Sequence, residues 1–348
     1  MRLLHKTHIL NGIWQKRNIL STHSKIFYFV ILLCVTTLLS CGGANDKPVS
    51  SFRLAEGGSH ASKISADNSI AVVSSIENGI TVWDLVTNEQ RFVWQHQDDG
   101  NNSVTNIHIA FDNSYVVTSD REAFALWNLN IGEPEGFWRI DESSIRDIAV
   151  ANQGRGILVG RGSGKAMFFE PFTGRRLEFL GHQEKINSVD ISPNGFFALT
   201  GGNDYLAYLW DTRTGQVIHK FEHTSRVTKV SLDDYGRYAF TADSKRDARI
   251  WDLVTGKEVS NLQYMARQRI FTVAVFSDDG KYLLTGSPAR RINRWDVNSG
   301  KELNEWRAAA REGSKPASSV LHSVGFLNES EIISESSSGL LEKWKIEN

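Results

Sequence analysis

Residues 181–211 read GHQEKINSVDISPNGFFALTGGNDYLAYLWD. Short alternating runs rich in β-branched and aromatic side chains flank the turn string SPNG, and no window of the stretch sustains a helical period. Its ending, an aromatic followed by Asp, recurs along the chain. TVWDL, ALWNL, MFFEP, YLWDT, RIWDL, NRWDV and EKWKI place an aromatic at Trp83, Trp127, Phe169, Trp210, Trp251, Trp295 and Trp344, with separations of 44, 42, 41, 41, 44 and 49 residues. A period of 40 to 45 residues is the mark of a repeat architecture.

A second register runs beside the first. Eleven residues after each of the first six aromatics stands a large apolar side chain: Trp94, Trp138, Leu180, Phe221, Leu262 and Trp306. Turn strings FDNS, ANQG, SPNG, DDYG, SDDG and LNES fall at matching places between them. Each unit therefore reads as four short strands. A lone four-stranded unit leaves both faces bare, whereas units set around an axis cover each other's faces and leave only short edges.

These residues resemble the WD40 family, over about residues 50–348. The resemblance implies an all-β fold, a seven-bladed WD40-type β-propeller. The last unit ends at Asn348, soon after EKWKI, without chain for its outermost strand, so VSSFRL (49–54) is expected to close the ring from the N-terminal side. In that family a His, a Ser or Thr, an Asp and the Trp form a hydrogen-bonded chain within a blade; the matching residues are His182, Thr200, Asp204 and Trp210. A carboxylate can accept from imidazole, the imidazole from the hydroxyl and the hydroxyl from the indole N–H, so the set is expected to be structural rather than catalytic. Lys245 and Ala289 stand where the Asp would be in the fifth and sixth units, and Phe169 replaces Trp in the third.

The first 40 residues hold five basic residues and no acidic one. Of the chain's 39 Lys plus Arg and 40 Asp plus Glu, the remainder keeps 34 basic against 40 acidic, a balance that argues against nucleic acid as a partner. An uncharged apolar run of 14 residues (26–39) is short for a membrane span of about 20, and small residues follow it. Basic leader, apolar core and small residues are the pattern of a secretory signal peptide. Leu38, Leu39, Ser40 and Cys41 resemble the lipobox of bacterial lipoproteins, in which the cysteine receives a diacylglyceryl group before cleavage. The expected organisation is a lipoprotein signal peptide (1–40), a lipidated Cys41 with its tether (41–49) and the propeller (50–348). An uncut signal anchor is the alternative. Gly42, where the retention signal of such lipoproteins is Asp, points to the cell envelope and an outer membrane, periplasm-facing.

Chemistry-bearing motifs are sparse. GRGSGKA (160–166) fails as a phosphate loop because Val159 and Ala166 replace the required Gly and Ser/Thr, and it reads as a hairpin. No metal-ligand spacing or G-x-S-x-G elbow occurs, so neither metal nor cofactor is expected. The face carrying the blade-to-blade connections is the one the family uses most for partners; mapped onto it are Arg226, Lys245, Arg246, Arg267, Arg269, Arg290 and Arg291. Such a sector suits an anionic protein or glycan, since guanidinium binds carboxylates with two donors, and it equally suits a solvated rim. The longer last spacing places an insertion at residues 308–319, a second candidate. A non-enzymatic protein-interaction scaffold is the expected function. The alternative is a periplasmic enzyme or glycan-binding protein that uses the mouth of the central channel.

Overall fold

The computed structural model describes residues 47–96, 104–264 and 270–347. Cys41 and the expected signal peptide lie outside the described residues. So do Arg267 and Arg269. Among the described residues no helix is long and apolar enough to cross a membrane.

Among the described residues twenty-eight strands form seven antiparallel four-stranded sheets. Each sheet is a blade whose strands we letter a to d. In blade four these are Ile186–Ile191, Phe197–Gly202, Leu206–Asp211 and Val217–Glu222. The a strands of neighbouring blades touch in an unbroken circuit, the seventh meeting the first, so they line a central axis. Blade seven takes its d strand from the N-terminal side: Ser50–Arg53 pairs with Leu340–Lys345 in the register Ser50↔Lys343 to Arg53↔Leu340. The ring closes through that pairing.

The turn strings have a local cause. In SPNG, SADN, AFDN and SDDG the fourth residue adopts a left-handed backbone: Gly195, Asn68, Asn113 and Gly280. The third, an Asn or Asp, accepts the amide two positions on, as in Phe196 N–H to Asn194 (2.9 Å) and Lys281 N–H to Asp279 (3.0 Å). Short polar side chains and glycine are what such a turn requires.

Seven apolar clusters fill the seven clefts between blades. The two sequence registers meet inside them, because the aromatic on strand c of one blade packs on the d strand of the blade before it. Trp127 stacks on Trp94 (4.8 Å) and Trp251 on Phe221 (4.6 Å). Blade three corrects the second register. Leu180 is 63% exposed, and Phe179 is the residue buried against Trp210, at 4.6 Å and 4°. In blades one, two, four, five and six a register shift just before the Trp adds one residue between strands c and d. The third blade pairs without a shift from Ala166↔Phe179 to Phe169↔Arg176, so its buried partner comes one position earlier.

Candidate functional site

Strand order gives the disc two faces. One carries the a–b and c–d turns and is called here the turn face; the other carries the b–c turns and the blade-to-blade connections and is called the connection face.

In blade four, His182 lies with Nδ1 3.0 Å from both oxygens of Asp204 and Nε2 2.9 Å from the Thr200 hydroxyl. The Trp210 indole N–H has no partner, so three of the four expected residues form the chain and the fourth contributes by stacking on Phe179. The fuller set is in blade five. Trp251 N–H donates to Thr241 (2.7 Å), Thr241 lies 2.8 Å from His223 Nε2, and His223 Nδ1 faces Asp247 across 3.3 Å. Asp247 stands two positions beyond Lys245, where the family pattern places the acid. The b–c turn supplies the acid from its far end, while Asp243 at its near end accepts the amides of Lys245 and Asp247. Burial pushes the carboxyls of Asp204 and Asp247 upward, and the bonds they accept together, from His182 and backbone amides to Asp204 and from His223 and Arg249 to Asp247, hold both below the ordinary value.

His223, Asp243 and Asp247 are the one group among the described residues that brings three potential ligand atoms within 4.8 Å. Their atoms already have other work. Asp243 holds two amides and the Thr224 hydroxyl, and Asp247 holds Arg249 and Asn261. The group fits a turn clamp better than an ion site.

The axis encloses a polar cavity of about 200 Å³. Side chains along the axis staple the blades in sequence from the second to the seventh, and the seventh to the first. His108 Nδ1 accepts Val150 N–H (3.2 Å), Asp147 accepts Val189 N–H (2.9 Å), and Asp190 accepts Leu232 N–H (2.8 Å). Further round, Ser231 donates to Ala274 O (3.0 Å), Thr272 to Leu321 O (2.6 Å), and Ser323 accepts Ile64 N–H (2.9 Å). With Nδ1 used as acceptor, His108 carries its proton on Nε2, 3.7 Å from Asp190. Burial depresses the Lys63 ammonium in the same cavity and pushes His322 down to about 4. At the mouth on the turn face, burial and the charge of Asp190 raise Asp234 to about 7. Phe111 and Tyr235 meet edge to face at 6.0 Å from blades two and five across that mouth.

The basic sector is thinner in space than in sequence. Arg226, Lys245 and Arg246 are exposed on the connection face around blade five. Arg291 binds both oxygens of Glu305 (2.9 and 2.7 Å), and Arg290 is turned onto Ala308 O (2.7 Å). The insertion at 308–319 is pinned to the seam of the ring: Arg311 donates to Gly57 O (3.1 Å) and Ala309 N–H to Glu342 (3.1 Å).

That seam holds a residue the sequence reading missed. On strand b, just past the hydroxyl position, stand Gly160, Gly201, Ala242 and Gly286; a Cβ on Gly201 would lie 2.6 Å from Val227 and 2.7 Å from Val230 of the next blade. Blade seven puts Glu335 there. It is fully buried and accepts from Ser59 (2.7 Å) and Ser62, which replace the two valines. Burial raises its carboxyl to about 8, against the lowering effect of the two serines. The signal lay in comparing blades: a Glu in a column of small residues, opposite two serines where Gly160, Gly201 and Gly286 face Ile, Val and Leu.

The family model "WD domain, G-beta repeat" matches residues 174–211 and 215–252, the two stretches that contain the third-to-fourth and fourth-to-fifth blade contacts. No curated protein matches the chain.

Proposed function

We propose that this protein is a membrane-anchored, non-enzymatic interaction platform: a propeller held through lipidated Cys41 that binds a protein partner on its connection face. The fold is consistent with a protein-interaction scaffold, and WD40 repeats commonly serve as one. The observation that carries the reading is the contrast in how charge is used. Polar groups along the axis are spent on blade-to-blade bonds, while Arg226, Lys245 and Arg246 point outward with no acidic partner among the described residues. Three cations so placed suit an acidic protein surface; Arg246 donates one guanidinium N–H to Tyr264 O (3.1 Å), and the Arg226 guanidinium offers the paired donors that carboxylates accept. The lipobox-like sequence supports the anchor, and Gly42 supports an outer membrane that presents the disc to the periplasm.

The test is affinity isolation after crosslinking of the membrane-held protein, with Arg226→Glu, Lys245→Glu and Arg246→Glu combined. Loss of the captured partner with retained folding is expected. An unchanged set of partners refutes the basic sector as the docking site. For the anchor, Cys41→Ala is expected to release the protein or leave an unprocessed precursor.

A second reading, a periplasmic small-molecule or glycan site at the channel mouth, is favoured by Asp234, an acid at that mouth whose raised value suits proton transfer near neutrality. Turnover of a periplasmic substrate pool by purified protein, abolished in Asp234→Asn, would select it.

A further inference from the structure

The two faces differ in what they expose. On the turn face, the c–d turns of blades one, two, three and five end in Val86, Ile131, Phe172 and Val254, and Val254 is 84% exposed. The a–b turns of blades four and five add Phe196 and Tyr235. Tight turns favour polar residues and glycine, so a large apolar side chain at four c–d tips is not what turn chemistry asks for. On the connection face the exposed large apolar residues among those described are Ile76, Leu180, Tyr205 and Ile270, and the same face bears Arg226, Lys245 and Arg246.

The described chain also enters the ring on the turn face. The closing strand Ser50–Arg53 runs antiparallel to Leu340–Lys345, which descends from a b–c turn, so Ser50 lies at the turn-face end and Arg53 at the connection-face end. Val49, 60% exposed, is the last residue before that strand, bonded to Lys343 O at 2.7 Å. Whatever anchors the chain upstream reaches the disc at this edge. Only five residues lie between Cys41 and Lys47, a contour of at most about 20 Å.

We infer that the turn face rests on a lipid surface, with Val49, Val86, Ile131, Phe172, Phe196 and Val254 as its apolar feet. This rests on the lipid anchor proposed above and adds to it an orientation. Val86, Ile131, Phe172 and Val254 stand on c–d turns toward the periphery, Val49 stands at the closing strand and Phe196 on an a–b turn nearer the axis, all on the one face. Aromatic rings on this face suit the bilayer interface: Arg213 lies over Phe196 (4.7 Å) and Arg237 over Tyr235 (5.0 Å), each guanidinium also paired with a carboxylate, Asp211 and Asp233. Carboxylates stand on this face both in the a–b turns near the channel mouth, as Asp67, Asp112, Asp234, Asp278 and Asp279, and beside the c–d tips, where Asp84, Glu133, Glu170 and Asp252 flank the feet, so the apolar tips and not the charge of the face carry the contact. A lipid anchor holds the disc near a bilayer, and small apolar contacts suffice to orient what is already tethered. The connection face is then left open to the partner.

The test uses the full chain on vesicles of phosphatidylethanolamine and phosphatidylglycerol, carrying Val254→Cys or Ile131→Cys on the turn face or Ile76→Cys on the other. Reaction with a water-soluble maleimide is read peptide by peptide by mass spectrometry, which keeps Cys34 and Cys41 separate. Slowing on vesicles relative to detergent solution of about tenfold is expected at positions 254 and 131, and less than about twofold at 76. Equal slowing on both faces, or slowing only at 76, in a chain that floats with the vesicles overturns the orientation and leaves the anchor standing. Slowing at 254 that follows protein concentration rather than lipid assigns the face to a second copy or another protein and also overturns it. A chain that does not float, with Cys41 unmodified by mass, overturns anchor and orientation together.

Discussion

Glu335 makes the stability of this ring depend on pH in an unusual direction. A carboxyl whose folded value is raised holds its proton in the folded chain and loses it in the unfolded one. Unfolded, Glu335 titrates near 4.5; folded, near about 8. Between those values the unfolded state binds fewer protons, so the stabilisation is complete below pH 4.5 and falls as pH rises toward 8. At ~1.4 kcal/mol per unit, the seam loses roughly 3 kcal/mol between pH 4.5 and 7. That is a large share of a typical stability of about 5–15 kcal/mol. The groups that face Glu335 are Ser59, Ser62 and the carboxyl of Glu342, itself raised by burial and adding repulsion. Glu335→Gln keeps the volume and an oxygen for the serines but cannot ionise. Urea unfolding followed by tryptophan fluorescence, at pH 5 and pH 7.5, should show the wild type losing stability and the variant losing about 3 kcal/mol less. Asp234 is raised as well and titrates with the same sign, so the difference between the two chains, not either slope alone, reports Glu335. Parallel pH profiles for wild type and variant would refute the argument that the seam carries a neutral acid.

Two further outcomes follow from packing. Phe179→Ala should cost about 3–5 kcal/mol in chemical denaturation because it empties the stack on Trp210, whereas Leu180→Ala should stay within about 0.5 kcal/mol; the opposite ranking would restore the eleven-residue register in blade three. Thr241→Val removes the hydroxyl between Trp251 and His223 at nearly constant volume and should cost about 1–3 kcal/mol, while an unchanged midpoint would show that the two buried partners are satisfied without it.

The repeat determined the fold from sequence alone because each blade must solve the same problem with the same parts. Trp127, Trp251 and Trp295 recur at fixed spacing since each caps a neighbour's d strand, and SPNG or SDDG recur since each turns the chain through a left-handed residue. Periodicity reports local geometry well, and so the seven blades and the closing strand were legible. Departures from the period were legible only in space. Phe179 took the place of Leu180 through a register shift that blade three lacks, and Asp247 rather than position 245 met His223 through a longer path round its turn. Arg290 and Arg291 looked as free as Arg226 in the sequence, yet a carbonyl and Glu305 engage them; such pairing depends on side-chain direction across strands, which spacing does not encode. The two faces were likewise decided by tertiary structure. Val86, Ile131, Phe172 and Val254 are distant in sequence and come to one face only when the a strands close their circuit. Glu335 is the sharpest case: one acid in a column of small residues is a slight irregularity on paper, and ring closure buries it between Ser59 and Ser62, where its charge has nowhere to go.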